Sequence, residues 1–199
     1  MIITVTNFKG GSGKSLSSYF IAFSDKINAD IYSNDPNGIY QSIFDKYKYI
    51  EDINSIDLSK VDKSNNILFD LGGFAANVGN ILKKSNVIVV PTLSDVNSIK
   101  VCLDSVSEFL SYNKNIIVVE TMYKTGSMLE EAIADNFPDE EIPVLKLRYA
   151  KIFDNAIRAG KTVDEYIKND KLKQITYKNS LNDMKDIIEV VNIIGGYDV

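Results

Sequence analysis

Ile2-Ile3-Thr4-Val5-Thr6-Asn7-Phe8-Lys9-Gly10-Gly11-Ser12-Gly13-Lys14-Ser15-Leu16 is the stretch from which the rest of the chain is read. It opens with a short apolar run, passes through a glycine loop bracketed by two lysines, and continues from Leu16 to Phe23 in helical periodicity. That order predicts strand, phosphate loop and helix. Gly10, Gly11 and Gly13 let successive backbone N–H groups turn inward where side chains would block them. The following helix aims its positive N-terminal end at the same point, so a polyphosphate is favoured twice over. The cradle therefore comprises Gly10, Gly11, Ser12, Gly13, Lys14, Ser15 and Leu16, with Lys14 set against the β- and γ-phosphates and the Ser15 hydroxyl a ligand for Mg2+. The ordinary Walker A pattern, Gly-x-x-x-x-Gly-Lys-Ser/Thr, fails at its first position, where Phe8 stands. What matches is a variant with a lysine one place further on, Lys-Gly-Gly-x-Gly-Lys-Ser. The loop reads as a nucleotide site.

At 199 residues, 45% of them hydrophobic, the chain can bury a core of its own and fits one α/β domain spanning residues 1–199. It contains no histidine, which excludes imidazole base catalysis, and one cysteine, Cys102, which excludes an internal disulfide and a cysteine metal cluster. Catalysis has to rest on carboxylates, lysines and a bound metal ion. The N-terminus enters the phosphate-loop unit with no basic leader, and no apolar run reaches the ~20 residues a membrane span needs, so the expected location is cytoplasmic.

Further along, Ala29 to Ser33 reads as a second strand ending in the turn Asn34-Asp35-Pro36-Asn37-Gly38, and Ile39 to Tyr47 as a short helix. Residues 48–66 carry no clear period. Ile67-Leu68-Phe69-Asp70 is an apolar strand ending in an acid, the form of a Walker B segment, and delivers a carboxylate to the rim where the phosphate loop lies. Val87 to Pro91 and Ile116 to Val119 are continuous apolar runs, as in strands covered on both faces. Between them Asp95 to Tyr112 predicts a long helix with Val96, Ile99, Leu103, Val106 and Leu110 on its buried stripe and Cys102 beside it as a small core hydrophobe. Ser127 to Asn136 is another helix, Val144 to Leu147 a last strand, and two or three helices close the chain. Such alternation predicts a mostly parallel sheet with helices on both faces, a three-layer α/β/α P-loop NTPase.

Taken together, Lys9, the glycines, Asp35-Pro36, Asp70 and the closing segment resemble the ParA/MinD family of deviant Walker-A ATPases, and within it the short ParA-type plasmid-partition proteins. Thr121-Met122-Tyr123, Arg148 to Phe153 and Ala156 to Val163 extend the likeness over most of the chain, the later segments lying near the family's adenine pocket. The resemblance implies ATP and Mg2+ as cofactors, with Thr121 and Arg148 added to the nucleotide-binding set and Ser15 and Asp70 holding the metal. It implies a homodimer with ATP sandwiched between protomers, in which Lys9 reaches the partner's phosphates and acts catalytically together with Lys14. Asp35 matches the aspartate of the Asp-Pro switch that helps position the attacking water. Two departures stand out. Ser33 occupies a position where the family often has a second acid, and Leu71-Gly72-Gly73 follows Asp70 in place of the common Asp-x-Pro-Pro-Gly form.

The resemblance also implies nonspecific DNA binding in the ATP state and a centromere-binding, ParB-like partner that stimulates hydrolysis. Net charge is −5, but from Val144 to Lys178 nine basic residues face four acidic ones, a local +5 that leaves −10 for the remainder. That segment is the candidate DNA face. A membrane-riding C-terminal helix is disfavoured: Leu181 to Ile194 has helical apolar spacing, yet Asp183, Asp186 and Glu189 outnumber Lys185 on its polar side. Two rival readings fit the same loop, an ATP-dependent ligase of the dethiobiotin-synthetase type and a non-catalytic, ATP-gated scaffold.

Overall fold

The computed structural model describes residues 1–36, 40, 43–53, 56, 58, 65–72, 78–123 and 125–196. Seven strands form one sheet in which each pairing is parallel: β1 (Ile2–Thr6), β2 (Asp30–Ser33), β3 (Tyr47–Tyr49), β4 (Ile67–Leu71), β5 (Val87–Thr92), β6 (Ile116–Thr121) and β7 (Val144–Leu147). Their order across the sheet is β3-β2-β4-β1-β5-β6-β7. The helices are α1 (Lys14–Ala22), α2 (Gly79–Lys84), α3 (Val96–Leu110), α4 (Leu129–Asn136), α5 (Lys151–Arg158), α6 (Val163–Ile167), α7 (Lys171–Thr176) and α8 (Lys178–Ile194).

Strand alternation divides the core between two faces. Ile3, Val5, Val87, Val89, Ile117, Val119 and Leu147 point to the side covered by α1, α5, α6 and α8. Ile88, Val90, Ile116 and Val118 point the other way, onto α3 and α4. β5 and β6 are buried along their whole lengths, as their unbroken apolar runs predict. Cys102 packs in the second core, and burial pushes its thiol up to about 12, so it behaves as a hydrophobe and not as a nucleophile. Leu181, Met184, Ile187, Ile188 and Val191 bury the apolar face of α8 against the first core. No helix among the described residues is long and apolar enough to cross a membrane.

The structure departs from the sequence reading in four places. Tyr47 opens the edge strand β3 instead of ending a helix: a turn at Tyr40, whose carbonyl accepts the Ile43 and Phe44 N–H groups, hands the chain to a ladder with β2. Residues 39, 41 and 42 of that expected helix, 37 and 38 of the turn before it, Gly73 after β4 and most of the stretch at 54–64 lie outside the described residues. Val96 is 80% exposed at the first turn of α3, where the helix N-terminus projects past the sheet and there is nothing to pack on. α2 carries too short an apolar period to be read from sequence, and four helices, not two or three, close the chain because Thr162 and Asp170 each cap a new one.

Candidate functional site: a phosphate loop beside a buried aspartate

Because the strands are parallel, their C-terminal ends share one rim, and β1 lies between β4 and β5. Chain connections diverge on either side of β1, which opens a crevice above it. The glycine loop fills that crevice. Gly11 and Gly13 have φ values of +73° and +89°, which L side chains adopt at a cost. A Cβ on Gly13 would also stand 2.8 Å from Thr121 Cγ2. Thr121, at the end of β6, is itself fixed: its Oγ1 lies 2.9 Å from the Ser12 carbonyl and 3.0 Å from that of Thr92. Gly13 then caps α1, which starts at Lys14 with its free N–H groups facing the loop.

Side chains brace the loop from below. Buried Asn7 donates from Nδ2 to the Pro91 carbonyl at 2.8 Å and accepts the Lys9 N–H at 2.8 Å. Phe8, the residue that breaks the Walker A pattern, packs edge-on against Phe109 of α3 with ring centres 5.3 Å apart. Lys14 Nζ donates to the Lys9 carbonyl at 2.8 Å. Burial pulls its pKa below the ordinary lysine value, against the opposing pull of Asp70 and Asp35. The Lys9 side chain turns to its own chain: Nζ donates to Ser98 Oγ at 2.6 Å and lies 3.5 Å from Asp95 Oδ1, at the N-terminus of α3.

Register places Asp70 beside Val5, one residue short of the end of β1. The carboxylate is 2% exposed, and desolvation raises its pKa; the hydroxyls of Tyr47, Ser15 and Ser18 and the Lys14 ammonium pull it back. Tyr47 Oη donates to Asp70 Oδ2. Ser33 pairs with Asp70 across β2 and β4 and accepts the Asp35 N–H on its Oγ at 3.1 Å. Asn34 Oδ1 accepts the Gly72 N–H at 2.7 Å, tying the loop after β2 to the loop after β4. Asp35 is exposed at the same rim.

These residues fit a magnesium nucleotide. The Ser12 hydroxyl is buried with no hydrogen-bond partner among the described residues, and a buried donor of that kind calls for an acceptor such as a phosphate oxygen. One serine hydroxyl and one carboxylate form the small protein donor set that Mg2+ takes when phosphates and water complete its shell.

The structure thus brings Lys9, Gly10, Gly11, Ser12, Gly13, Lys14, Ser15, Asp70 and Thr121 to one rim, with Asp35 beside them. Leu16, in the first turn of α1, turns its partly buried side chain to the first core. Arg148 is directed elsewhere: its guanidinium pairs with Asp183 of α8 at 2.7 Å and its N–H bonds the same carboxylate. Sequence reasoning missed Asn7, Asn34, Tyr47, Asp95 and Ser98. Of these only Asp95 carries a sequence signal, an Asp at the start of an apolar period, where it caps α3 through the Ser98 N–H.

The fold is that of the ParA/MinD-type P-loop ATPases. Apo McdA of Cyanothece superimposes with a TM-score of 0.67 at 10% identity, over 96% of this chain and 98% of that one. MinD of Pyrococcus horikoshii with Mg-ADP gives 0.62 at 13%, over 98% and 97%. A plasmid-partition protein of Borrelia burgdorferi bound to AMPPNP gives 0.54 at 15%, over 94% and 98%. No family model and no curated protein matches the chain by sequence. At these identities the likeness establishes the fold, and function has to be argued from the site.

Proposed function

We propose that the protein is a ParA-type ATPase that dimerises around Mg·ATP, binds DNA without sequence preference and positions a plasmid or similar cargo, with a ParB-like protein stimulating hydrolysis. The observation that carries this reading is the pair of lysines bracketing a left-handed glycine loop, one strand away from a buried aspartate. The loop amides, the α1 N-terminus and Lys14 hold the phosphates, and Thr121 keeps the loop in shape from behind. Ser15 and Asp70 hold magnesium, which supplies charge neutralisation on the transferring phosphate. Asp35, exposed on the loop after β2, orients the attacking water, while the Asn34–Gly72 bond lets that loop and the loop after β4 move together. Lys9 neutralises the partner's triphosphate, and cations used in this way are worth roughly 10³–10⁵ in rate. Of the nine basic residues between Val144 and Lys178, Lys146, Arg148 and Lys173 are engaged in ion pairs. Lys151, Arg158, Lys161, Lys168, Lys171 and Lys178 are exposed and form no ion pair among the described residues, and they make up the DNA face.

Sedimentation with Mg·ATP and duplex DNA tests the reading. Dimer and DNA binding should both require ATP and vanish in Lys9→Ala, which keeps nucleotide affinity as a monomer. With about four phosphates neutralised, log K should fall against log salt with a slope of roughly −3.6. DNA binding indifferent to salt and ATP, or turnover by an obligate monomer, would refute it.

A further inference from the structure

We infer that Tyr47 is a positioning residue for Asp70, its phenol reaching across β2 to donate to the carboxylate. The inference rests on the Mg·nucleotide reading of the site. Ser33 has no exposed surface and lies directly across the ladder from Asp70. An acid there would add a second negative charge against an aspartate that burial already disfavours. The chain fills the position with neutral hydroxyls instead. Tyr47, paired to Ile31 on the neighbouring strand, sends its side chain over β2, donates to Asp70 Oδ2 and reaches the hydroxyls of Ser33 and Ser15.

The phenol has little freedom to leave. Tyr47 is 4% exposed, and its ring stacks on Tyr40 at 5.6 Å and 19°, which in turn stacks on Tyr19 at 6.0 Å and 28°. The far end of that row is pinned where Tyr19 Oη donates to the Lys161 carbonyl at 2.6 Å. A buried phenol needs an acceptor and a buried carboxylate needs a donor, so each satisfies the other. The consequence for function is orientation: one carboxylate oxygen is held by a clamped donor, so the plane of Asp70 is fixed before metal arrives. Partners of this type are worth about 10–100-fold in metal affinity when removed.

The test is Tyr47→Phe, which keeps the ring stack and deletes one hydrogen bond. Binding of a fluorescent ATP analogue is titrated with Mg2+, and separately measured in EDTA, alongside the melting temperature. The Mg2+ concentration for half-maximal binding should rise about tenfold or more, while affinity in EDTA stays within twofold. An unchanged Mg2+ requirement in Tyr47→Phe overturns the inference, and so does an equal loss of affinity with and without Mg2+, which marks a merely structural role. If the unaltered protein binds nucleotide with no dependence on Mg2+, the reading of the site itself fails, and the inference with it.

Discussion

Substituting Ser98 by alanine should make ATP-dependent dimerisation tighter. In the isolated chain Lys9 Nζ is bonded to Ser98 Oγ at 2.6 Å and held 3.5 Å from Asp95, so a lysine that is to serve a partner first has to leave its own α3. The side chains of Lys9 and Asp95 are 30% and 53% exposed, so the ion pair is screened and the hydroxyl contact carries most of the hold. Taking that hold as ~0.5–1 kcal/mol leaves the lysine free in roughly 30% to 15% of molecules, and because both protomers must release, the dimer constant is weakened about 10- to 40-fold. Ser98→Ala removes the acceptor but keeps the helix cap, since Asp95 Oδ1 accepts from the backbone N–H at position 98. Sedimentation velocity across a concentration series with Mg·AMPPNP measures the constant directly, and an unchanged melting temperature shows that α3 is intact. Ser98→Ala dimerising no more tightly than the parent would show that the resting place of Lys9 does not oppose assembly.

Two further predictions follow from the loop and its aspartate. Gly13→Ala forces a left-handed φ on a side chain, at about 1–2 kcal/mol, and drives its Cβ to 2.8 Å from Thr121 Cγ2; nucleotide binding should disappear and the melting temperature fall by about 2–8 °C. Thr121→Ser in that background removes the methyl but keeps the hydroxyl, so it should restore part of the melting temperature; no recovery would place the cost wholly in the backbone. Asp70 has its pKa raised by burial, so between its ordinary value of 3.8 and the raised one the folded state binds more protons than the unfolded state, and stability falls as pH rises through that window. Asp70→Asn should therefore make the nucleotide-free protein more stable at neutral pH, flatten that slope in pH-dependent melting, and abolish Mg2+-dependent nucleotide binding; a less stable variant would show that the charge is compensated.

How much of this was legible in the sequence follows from range. The loop, β1, β4, β5, β6 and α3 were read correctly because their signals are local: runs that bury on both faces, a cap followed by an apolar stripe, glycines where left-handed backbone is needed. β3 was not legible, since Tyr47-Lys48-Tyr49 is a strand only because β2 offers an edge, and a three-residue edge strand has no period of its own. The partners of the site failed for the same reason. Tyr47 meets Asp70 across 23 positions, Asn34 meets Gly72 across 38, and Lys9 meets Ser98 across 89. Arg148 illustrates the converse. The resemblance implies a nucleotide contact for it, but its guanidinium is paired with Asp183, 35 residues away.

The departure at Phe8 and the placement of Lys9 have one cause. A glycine at the first Walker A position lets the backbone turn freely; here the turn is enforced from outside. The Phe8 ring is wedged against Phe109, its N–H bonds Ser105 Oγ at 3.3 Å, and Asn7 links the loop to Pro91. All three anchors belong to β5 or α3, so the start of the loop is fastened to the side of the sheet where α3 begins. Held there, the Lys9 backbone delivers its side chain to the exposed N-terminus of α3, beside Val96, on the rim where the proposed dimer would meet. The aromatic anchor that breaks the ordinary motif thus directs the extra lysine outward to that rim, while Lys14 stays at the loop with its Nζ on the Lys9 carbonyl.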